Sequence, residues 1–279
     1  MCLLVSTSLP EAALLRVESI IMATNSNLAL LIDGDNVSPR IIVGLMAEIA
    51  NIGTASVRRI YGDWTSPHLK GWKECLLNHS ITPMQQFAYT TGKNATDGAM
   101  IIDAMDLLYT GRFSGFCIVS SDSDFTRLAA RIREQGVTVY GFGKRTTNNA
   151  FINACDKFTY FDVLNCPPDE PSYSGPQSSR PPPVMIQMKS PTKRPLDESG
   201  HTGLVMAIKS VSDSDNWANL ADVGNYLKKL SPDFDARNYG YEKLRELGEA
   251  SGIADVKRRD MGSKPPVFLV HLRESTLKQ

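Results

Sequence analysis

Nothing in this 279-residue sequence tips its charge. Lys and Arg total 30, Asp and Glu total 30, so any polyanionic partner must be met by a local patch and not by the field of the whole chain. Cysteine is scarce as well. Cys2, Cys75, Cys117, Cys155 and Cys166 are odd in number, scattered and never spaced C-x-x-C. That argues against a disulfide framework or a thiolate metal site and fits a reduced, cytoplasmic protein with small buried thiols. No stretch approaches the roughly 18 consecutive apolar residues of a membrane span, so no membrane partner is expected. A G-x-x-x-x-G-K-[ST] loop is missing, and no Ser–His–Asp or Cys–His arrangement is visible. P-loop ATPase and triad hydrolase chemistry are set aside on that ground.

What is present divides the chain. Residues 1–27 lack the basic start of a signal peptide, and Glu11, Arg16 and Glu18 interrupt their apolar stretch, so they read as an extension. Met22, just ahead of the first expected strand, is a second candidate start. Residues 167–200 hold nine of the 16 prolines and few large apolar side chains, the composition of a linker. The domains this leaves are 28–166 and 201–273.

The first alternates apolar runs suited to buried strands (28–33, 56–61, 82–89, 115–120, 137–142) with helical segments. One helix is announced by Ser38 as cap and Pro39 at its first position, and another ends at Gly136. The alternation predicts an α/β fold, a mostly parallel sheet with helices on both faces. The second domain reads as three helices, the third over 235–251, then a β-hairpin, the order of a small winged helix-turn-helix domain.

The chemistry lies in the aspartates. In "LLIDGDN", Asp33 ends strand one and Asp35 sits in the turn after it. In "VSSDSDF", Asp122 and Asp124 follow the 115–120 strand. Asp97 opens the helix "ATDGAMIIDAMDLLY". A parallel sheet brings all three places to one edge, the edge where such folds bind ligands. Five converging carboxylates repel one another unless a hard divalent cation, Mg²⁺ or Mn²⁺, joins them through oxygen. Asp103 and Asp106 are about 240° and 180° round the helix from Asp97 and cannot face the same point, so they read as solvent-facing or structural. Asn36 is placed to orient a water or a carboxylate. Lys93, Lys144 and Arg145 flank the edge as candidate phosphate contacts, and Tyr61 and Trp64 as base-stacking or packing groups. A carboxylate-held metal suits phosphodiester hydrolysis, since it acidifies a bound water and neutralises charge building on phosphate.

The same residues carry a resemblance. "LLIDGDN", "IYGDW", "GKNATDGAMIIDAMDLL" and "IVSSDSDF", in that order and spacing, resemble the NYN domain, the LabA-like branch of the PIN ribonuclease superfamily, over about 28–164. The resemblance implies a PIN-like fold and a Mg²⁺- or Mn²⁺-dependent ribonuclease centre whose catalytic residues fall on Asp33, Asp97, Asp122 and Asp124, with Asn36 beside them and Asp35 among the metal ligands. Where many relatives have glycine this chain has Ser121, for which a small change in turn geometry is expected. "DFDARNYGYEKLRELGEASG" and its surroundings resemble the OST-HTH (LOTUS) domain, which implies RNA binding. Arg237, Tyr239, Tyr241, Lys243 and Arg245 interleave base and aromatic there, and Lys257, Arg258 and Arg259 form a basic wing, which suits phosphate contact and stacking.

Two other readings stay open at this point. A haloacid-dehalogenase-type phosphatase also opens on strand–D-x-D, with Asp33 as nucleophile and Val37 in pattern, although its downstream lysine and later acid pair fit poorly. A non-catalytic RNA-binding adaptor would keep the acids for a structural ion or none. The expected partner is RNA, single-stranded or structured, with a second copy of the chain (a homo-oligomer) as a further candidate.

Overall fold

The run NLALLID becomes β1 (Asn27–Asp33), buried from Leu28 to Asp33. A strand that reads as a continuous apolar run is one covered on both faces. In the computed structural model, which describes residues 26–87, 95–164, 193–261 and 264–273, β1 lies inside a six-stranded sheet. The chain divides into two compact units.

In the first unit β1 leads through a 3₁₀ turn (Pro39–Ile41) to α1 (Ile42–Ile52), then β2 (Thr54–Gly62), a second 3₁₀ turn (Pro67–Leu69), α2 (Lys70–Asn78) and β3 (Thr82–Gln85). There follow α3 (Ala95–Tyr109), β4 (Gly115–Val119), a 3₁₀ turn (Ser123–Phe125), α4 (Thr126–Glu134), β5 (Thr138–Gly143) and α5 (Asn149–Ala154); β6 (Lys157–Tyr160) completes the sheet, although its residues through Thr159 group with the second unit. Ser38 caps as expected, its hydroxyl accepting from the Arg40 N–H at 3.5 Å, and Pro39 follows it. Gly136, at φ +73°, takes the left-handed position past the end of α4, where a side chain would be strained. The third expected strand, 82–89, ends at Gln85; residues 88 and 89 lie outside the described ones. Two elements have no counterpart in the sequence reading, α5 with six residues and β6 with four. Both are too short for periodicity to show.

Strand order is β3-β2-β1-β4-β5-β6, and β1 pairs in parallel with both β2 and β4. The order reverses direction between β1 and β4, and the crevice beyond the C-terminal ends of those two strands is the ligand position of a doubly wound sheet. On one face Leu28, Leu30 and Ile32 pack with Leu45, Ile49 and Trp72. By strand alternation Leu31 and Asp33 point to the other face, the one covered by α3. Trp72 is fully buried, and its indole N–H donates to the Val37 carbonyl at 3.0 Å, tying α2 to the turn after β1. Cys117 and Cys155 are buried and Cys75 is half-buried, none of them in a disulfide.

The second unit holds α6 (Glu198–Val211), the short β7 (Ala218–Asn219), α7 (Leu220–Leu230), α8 (Leu244–Ala250), β8 (Ala254–Met261) and β9 (Lys264–Leu272), with an antiparallel sheet in the order β7-β9-β8. Leu204, Ile208, Val223, Leu227 and Val270 form its core. α6 opens inside the segment expected as linker, capped by Asp197, whose Oδ1 accepts from the Gly200 N–H at 2.7 Å. The third helix is a correction. The expected continuous helix over 235–251 is a 3₁₀ turn (Ala236–Tyr239), a break, and the short α8. Gly240 at φ +80° breaks it, and once it does, Arg237 and Tyr239 no longer share a helix face with Arg245.

Candidate metal centre

The turn after β1 sets the geometry. Gly34 lies so close to β2 that a Cβ there would stand 2.8 Å from the Tyr61 carbonyl oxygen. The Gly34 N–H donates to that carbonyl at 2.8 Å, so Asp33 and Asp35 leave the strand on a tightly held main chain. Asp33 is 1% exposed. Its Oδ2 accepts from Asn36 Nδ2 and from Ser120 Oγ, both at 2.7 Å, and its Oδ1 is buried with no hydrogen-bond partner among the described residues. A buried carboxylate oxygen with nothing to accept from is costly, and an oxygen left bare in this way is what a cation ligand looks like.

Across the crevice, the Asp122 Oδ1 caps its own turn by accepting from the Asp124 N–H at 2.9 Å. Ser120, fully buried, accepts from the Asp122 N–H at 3.0 Å while donating to Asp33, so one hydroxyl joins the two strand ends. Asp97 reaches in from the first turn of α3. Asp97, Asp122 and Asp124 each bring a carboxylate oxygen within 4.8 Å of the others. Asp35 is exposed at the rim and accepts from Thr96 Oγ1 at 2.9 Å.

Electrostatics join Asp33 and Asp35 to that trio. Burial, and then the charges of Asp33, Asp122, Asp124 and Asp35, push the Asp97 carboxyl up to about 6. Burial also raises Asp33, with the Asp35 charge adding to it and the Ser120 and Asn36 hydrogen bonds opposing. A carboxyl at about 6 in the folded chain and 3.8 unfolded disfavours folding whenever both are ionised. The penalty is fully present above about pH 6 and is relieved as pH falls toward 4, where the folded state takes up the proton first. Asp97→Asn is therefore expected to raise the melting temperature in EDTA at pH 7.5 by a few degrees, a gain that shrinks at pH 4.5. Loss of a favourable charge at a helix N-terminus, about 0.3–1 kcal/mol, limits the rise. A thermal melt of the two proteins at both pH values checks this; a lower melting temperature for the variant at pH 7.5 would contradict it.

The all-carboxylate donor set of Asp97, Asp122 and Asp124 fits a hard divalent ion. Asp97, Asp122 and Asp124 are the residues that would hold it, with Asp33 and the exposed Asp35 coupled to Asp97 through charge. Of the water and the carboxylate that the Asn36 amide is placed to orient, it meets a carboxylate, that of Asp33.

Sequence reasoning missed Ser120 and Thr96. Ser120 stands immediately before the "SDSD" turn, and a hydroxyl at a buried strand end beside two acids was the available signal. Ser121 accepts from the Lys144 N–H at 2.9 Å, so the serine in place of glycine fastens the acidic turn to the end of β5.

Asp103 is structural and Asp106 exposed. Asp103 pairs with Arg59 and accepts from the Tyr61 hydroxyl. Burial and the Asp103 carboxylate together hold that phenol far above its ordinary range. Tyr61 is 1% exposed and so packs instead of stacking on a base. Trp64 packs against the core with its indole N–H on the Met84 carbonyl at 3.2 Å.

The basic candidates scatter. Lys93 lies outside the described residues. Lys144 is exposed at the end of β5. Arg145 is engaged: its guanidinium stacks 4.0 Å over the Tyr160 ring and its Nε pairs with Asp162 at 3.1 Å. In the second unit Arg237 is held by Asp235 at 2.7 Å, and the Tyr239 hydroxyl donates to Asp197 at 3.2 Å. Both serve the fold there. Lys243 and the wing residues Lys257, Arg258 and Arg259 are exposed, with Arg258 in a surface pair with Asp260 at 3.0 Å that is worth little.

A doubly wound parallel sheet with aspartates gathered at its switch point defines the first unit as a PIN-like α/β domain. The chain carries an NYN domain, whose family model matches residues 27–164, and an OST-HTH/LOTUS domain, matched over residues 199–266. No curated protein matches the chain. Among solved structures it is similar to a protein of unknown function from Vibrio parahaemolyticus, at 19% identity and TM-score 0.42, covering 49% of this chain and 93% of that one. It is similar also to an uncharacterised protein from Nitrosomonas europaea, at 33% identity and TM-score 0.26, covering 36% and 91%. A third similarity is to a Chromobacterium violaceum protein segment, at 32% identity and TM-score 0.23, covering 26% and 79%. No helix among the described residues is long and apolar enough to cross a membrane.

Proposed function

We propose that the protein is a divalent-metal-dependent ribonuclease, hydrolysing RNA phosphodiester bonds at the NYN domain while the OST-HTH/LOTUS domain holds the RNA. The observation that carries the reading is the convergence of Asp97, Asp122 and Asp124 within 4.8 Å, with the charge of buried Asp33 acting on Asp97. Mg²⁺ or Mn²⁺, when bound, would neutralise charge on the scissile phosphate and make water more acidic. The chain's own residues supply the rest. Asn36 and Ser120 fix the Asp33 carboxylate in one orientation, and the Asp122 cap fixes the turn that carries Asp122 and Asp124, so the ligand set needs no reorganisation at the moment of reaction.

In hydrolysis a water oxygen bonds to phosphorus as the bond to the leaving ribose oxygen breaks, and a proton ends on that oxygen. No covalent enzyme intermediate is required. Asp33, enclosed to 1% exposure, offers no open face for in-line attack on phosphorus, which weighs against aspartyl-phosphate chemistry. Exposed Lys144 at the rim, and Lys243, Lys257, Arg258 and Arg259 on the second domain, are the proposed RNA contacts. Linking a binding module to a cleavage module raises the effective concentration of RNA at the second.

Labelled single-stranded and hairpin RNA incubated with the full-length protein tests the reading. Cleavage with Mn²⁺ and none with EDTA is expected. RNA bound tightly but left intact with Mn²⁺ would replace the nuclease by an adaptor.

A further inference from the structure

We propose that Asp103 is a positioning residue for the metal centre, locking α3 at the rotation that aims Asp97 at Asp33, Asp122 and Asp124. The proposal rests on the ribonuclease reading above.

Asp97 and Asp103 share a helix but sit about 240° and about 9 Å apart along it, so only one of them can enter the crevice. The other grips the sheet. Asp103 pairs with Arg59 through one oxygen and accepts from the Tyr61 hydroxyl through the other. Both partners belong to β2, and Tyr61 is the residue in register with Asp33 on β1. The Tyr61 carbonyl, moreover, is the group that holds the Gly34 N–H at 2.8 Å. One residue thus fixes the Asp33–Asp35 turn with its main chain and the Asp97 helix with its side chain.

The apolar contacts of α3 cannot do this, and its other polar contacts, Thr96 to Asp35 and Tyr109 to Arg131, are exposed ones at the two ends of the helix. Met100, Ala104, Leu107 and Leu108 are buried along it, and apolar burial holds a helix against a sheet without direction. A two-pronged, charge-assisted hydrogen-bond set has direction. With side chains reaching about 6 Å from the helix axis, a rotation of about 10° moves the Asp97 carboxylate by about 1 Å. Ions such as Mg²⁺ demand near-ideal ligand placement, so such a shift is enough to spoil the ligand set. The apolar contacts set where α3 lies; Asp103 sets how it is turned.

The test uses the full-length protein and Asp103→Ala, Asp103→Asn and Tyr61→Phe, each measured for Mn²⁺ affinity by calorimetry, for kcat and KM on labelled single-stranded RNA, and for melting temperature in EDTA. Tyr61→Phe removes a single oxygen and guards against a misfolded Asp103→Ala. Asp103→Ala and Tyr61→Phe are expected to weaken Mn²⁺ binding and lower kcat together by about 10–100-fold. KM should stay within about twofold, since RNA is gripped elsewhere. Asp103→Asn, which still accepts from Tyr61, should fall between them and the wild type. Folded variants with a lower melting temperature but wild-type Mn²⁺ affinity and kcat would overturn the positioning role and leave the nuclease reading standing. A wild type that binds no Mn²⁺ would overturn both.

Discussion

Asp122→Asn should reduce Mn²⁺-dependent RNA cleavage by about 10³-fold, the equivalent of about 4 kcal/mol of transition-state stabilisation, without unfolding the protein. The substitution is informative because Asp122 has two jobs that asparagine separates. Its Oδ1 caps the turn before α4 by accepting from the Asp124 N–H at 2.9 Å, and an asparagine carbonyl caps about as well as a carboxylate. The melting temperature should therefore stay within about 2 °C of wild type in EDTA. The charge, by contrast, disappears from the cluster it forms with Asp97 and Asp124, and a neutral amide is a poor ligand for a hard divalent ion. Initial rates on labelled RNA at several Mn²⁺ concentrations check the outcome. A variant that cuts at wild-type rate would remove Asp122 from the mechanism, and a collapse in melting temperature would show that its role is the cap alone.

The second large effect concerns the scaffold. Trp72→Ala is expected to cost about 3–5 kcal/mol of stability in the first unit, a large share of the roughly 5–15 kcal/mol that holds a domain together. Trp72 is fully buried between α2 and the sheet and donates to the Val37 carbonyl. Truncation leaves a cavity and an unpaired carbonyl two residues beyond Asp35. The site should suffer with the fold, because the turn carrying Asp33 and Asp35 loses its outer support. Trp72→Phe keeps most of the ring and loses only the N–H, so it should fall well short of the alanine cost. Urea denaturation of both variants distinguishes them; an alanine variant within about 1 kcal/mol of wild type would show the interface repacks freely.

Much of this architecture is legible in the residues themselves, for identifiable reasons. β1 and β4 are short unbroken apolar runs that could only be covered on both faces, and the aspartates after them fall at strand ends whose shared edge follows from parallel topology. Helical angle separates Asp97 from Asp103 and Asp106, and its place in the first turn, nearest the strand ends, selects it. What could not be read was contact at long sequence separation. Ser120 and Asp33 are joined across 87 residues, and Asp103 meets Tyr61 across 42. No local pattern encodes either pair. The third helix of the second domain failed for a different reason: its apolar spacing continues through Gly240, while the backbone takes the left-handed region there and the helix stops. Arg145, Arg237 and Tyr239 illustrate a last limit. Sequence shows a basic or aromatic group but not the Tyr160 ring, the Asp235 carboxylate or the Asp197 carboxylate that already occupies it.

A crystal of the full-length protein soaked in manganese, with anomalous scattering recorded, addresses the metal centre without passing through activity. The account predicts a manganese peak within coordination distance of Asp97, Asp122 and Asp124, with the bare Oδ1 of Asp33 turned toward it. A map with no peak in that crevice, or with manganese bound only elsewhere, would contradict it.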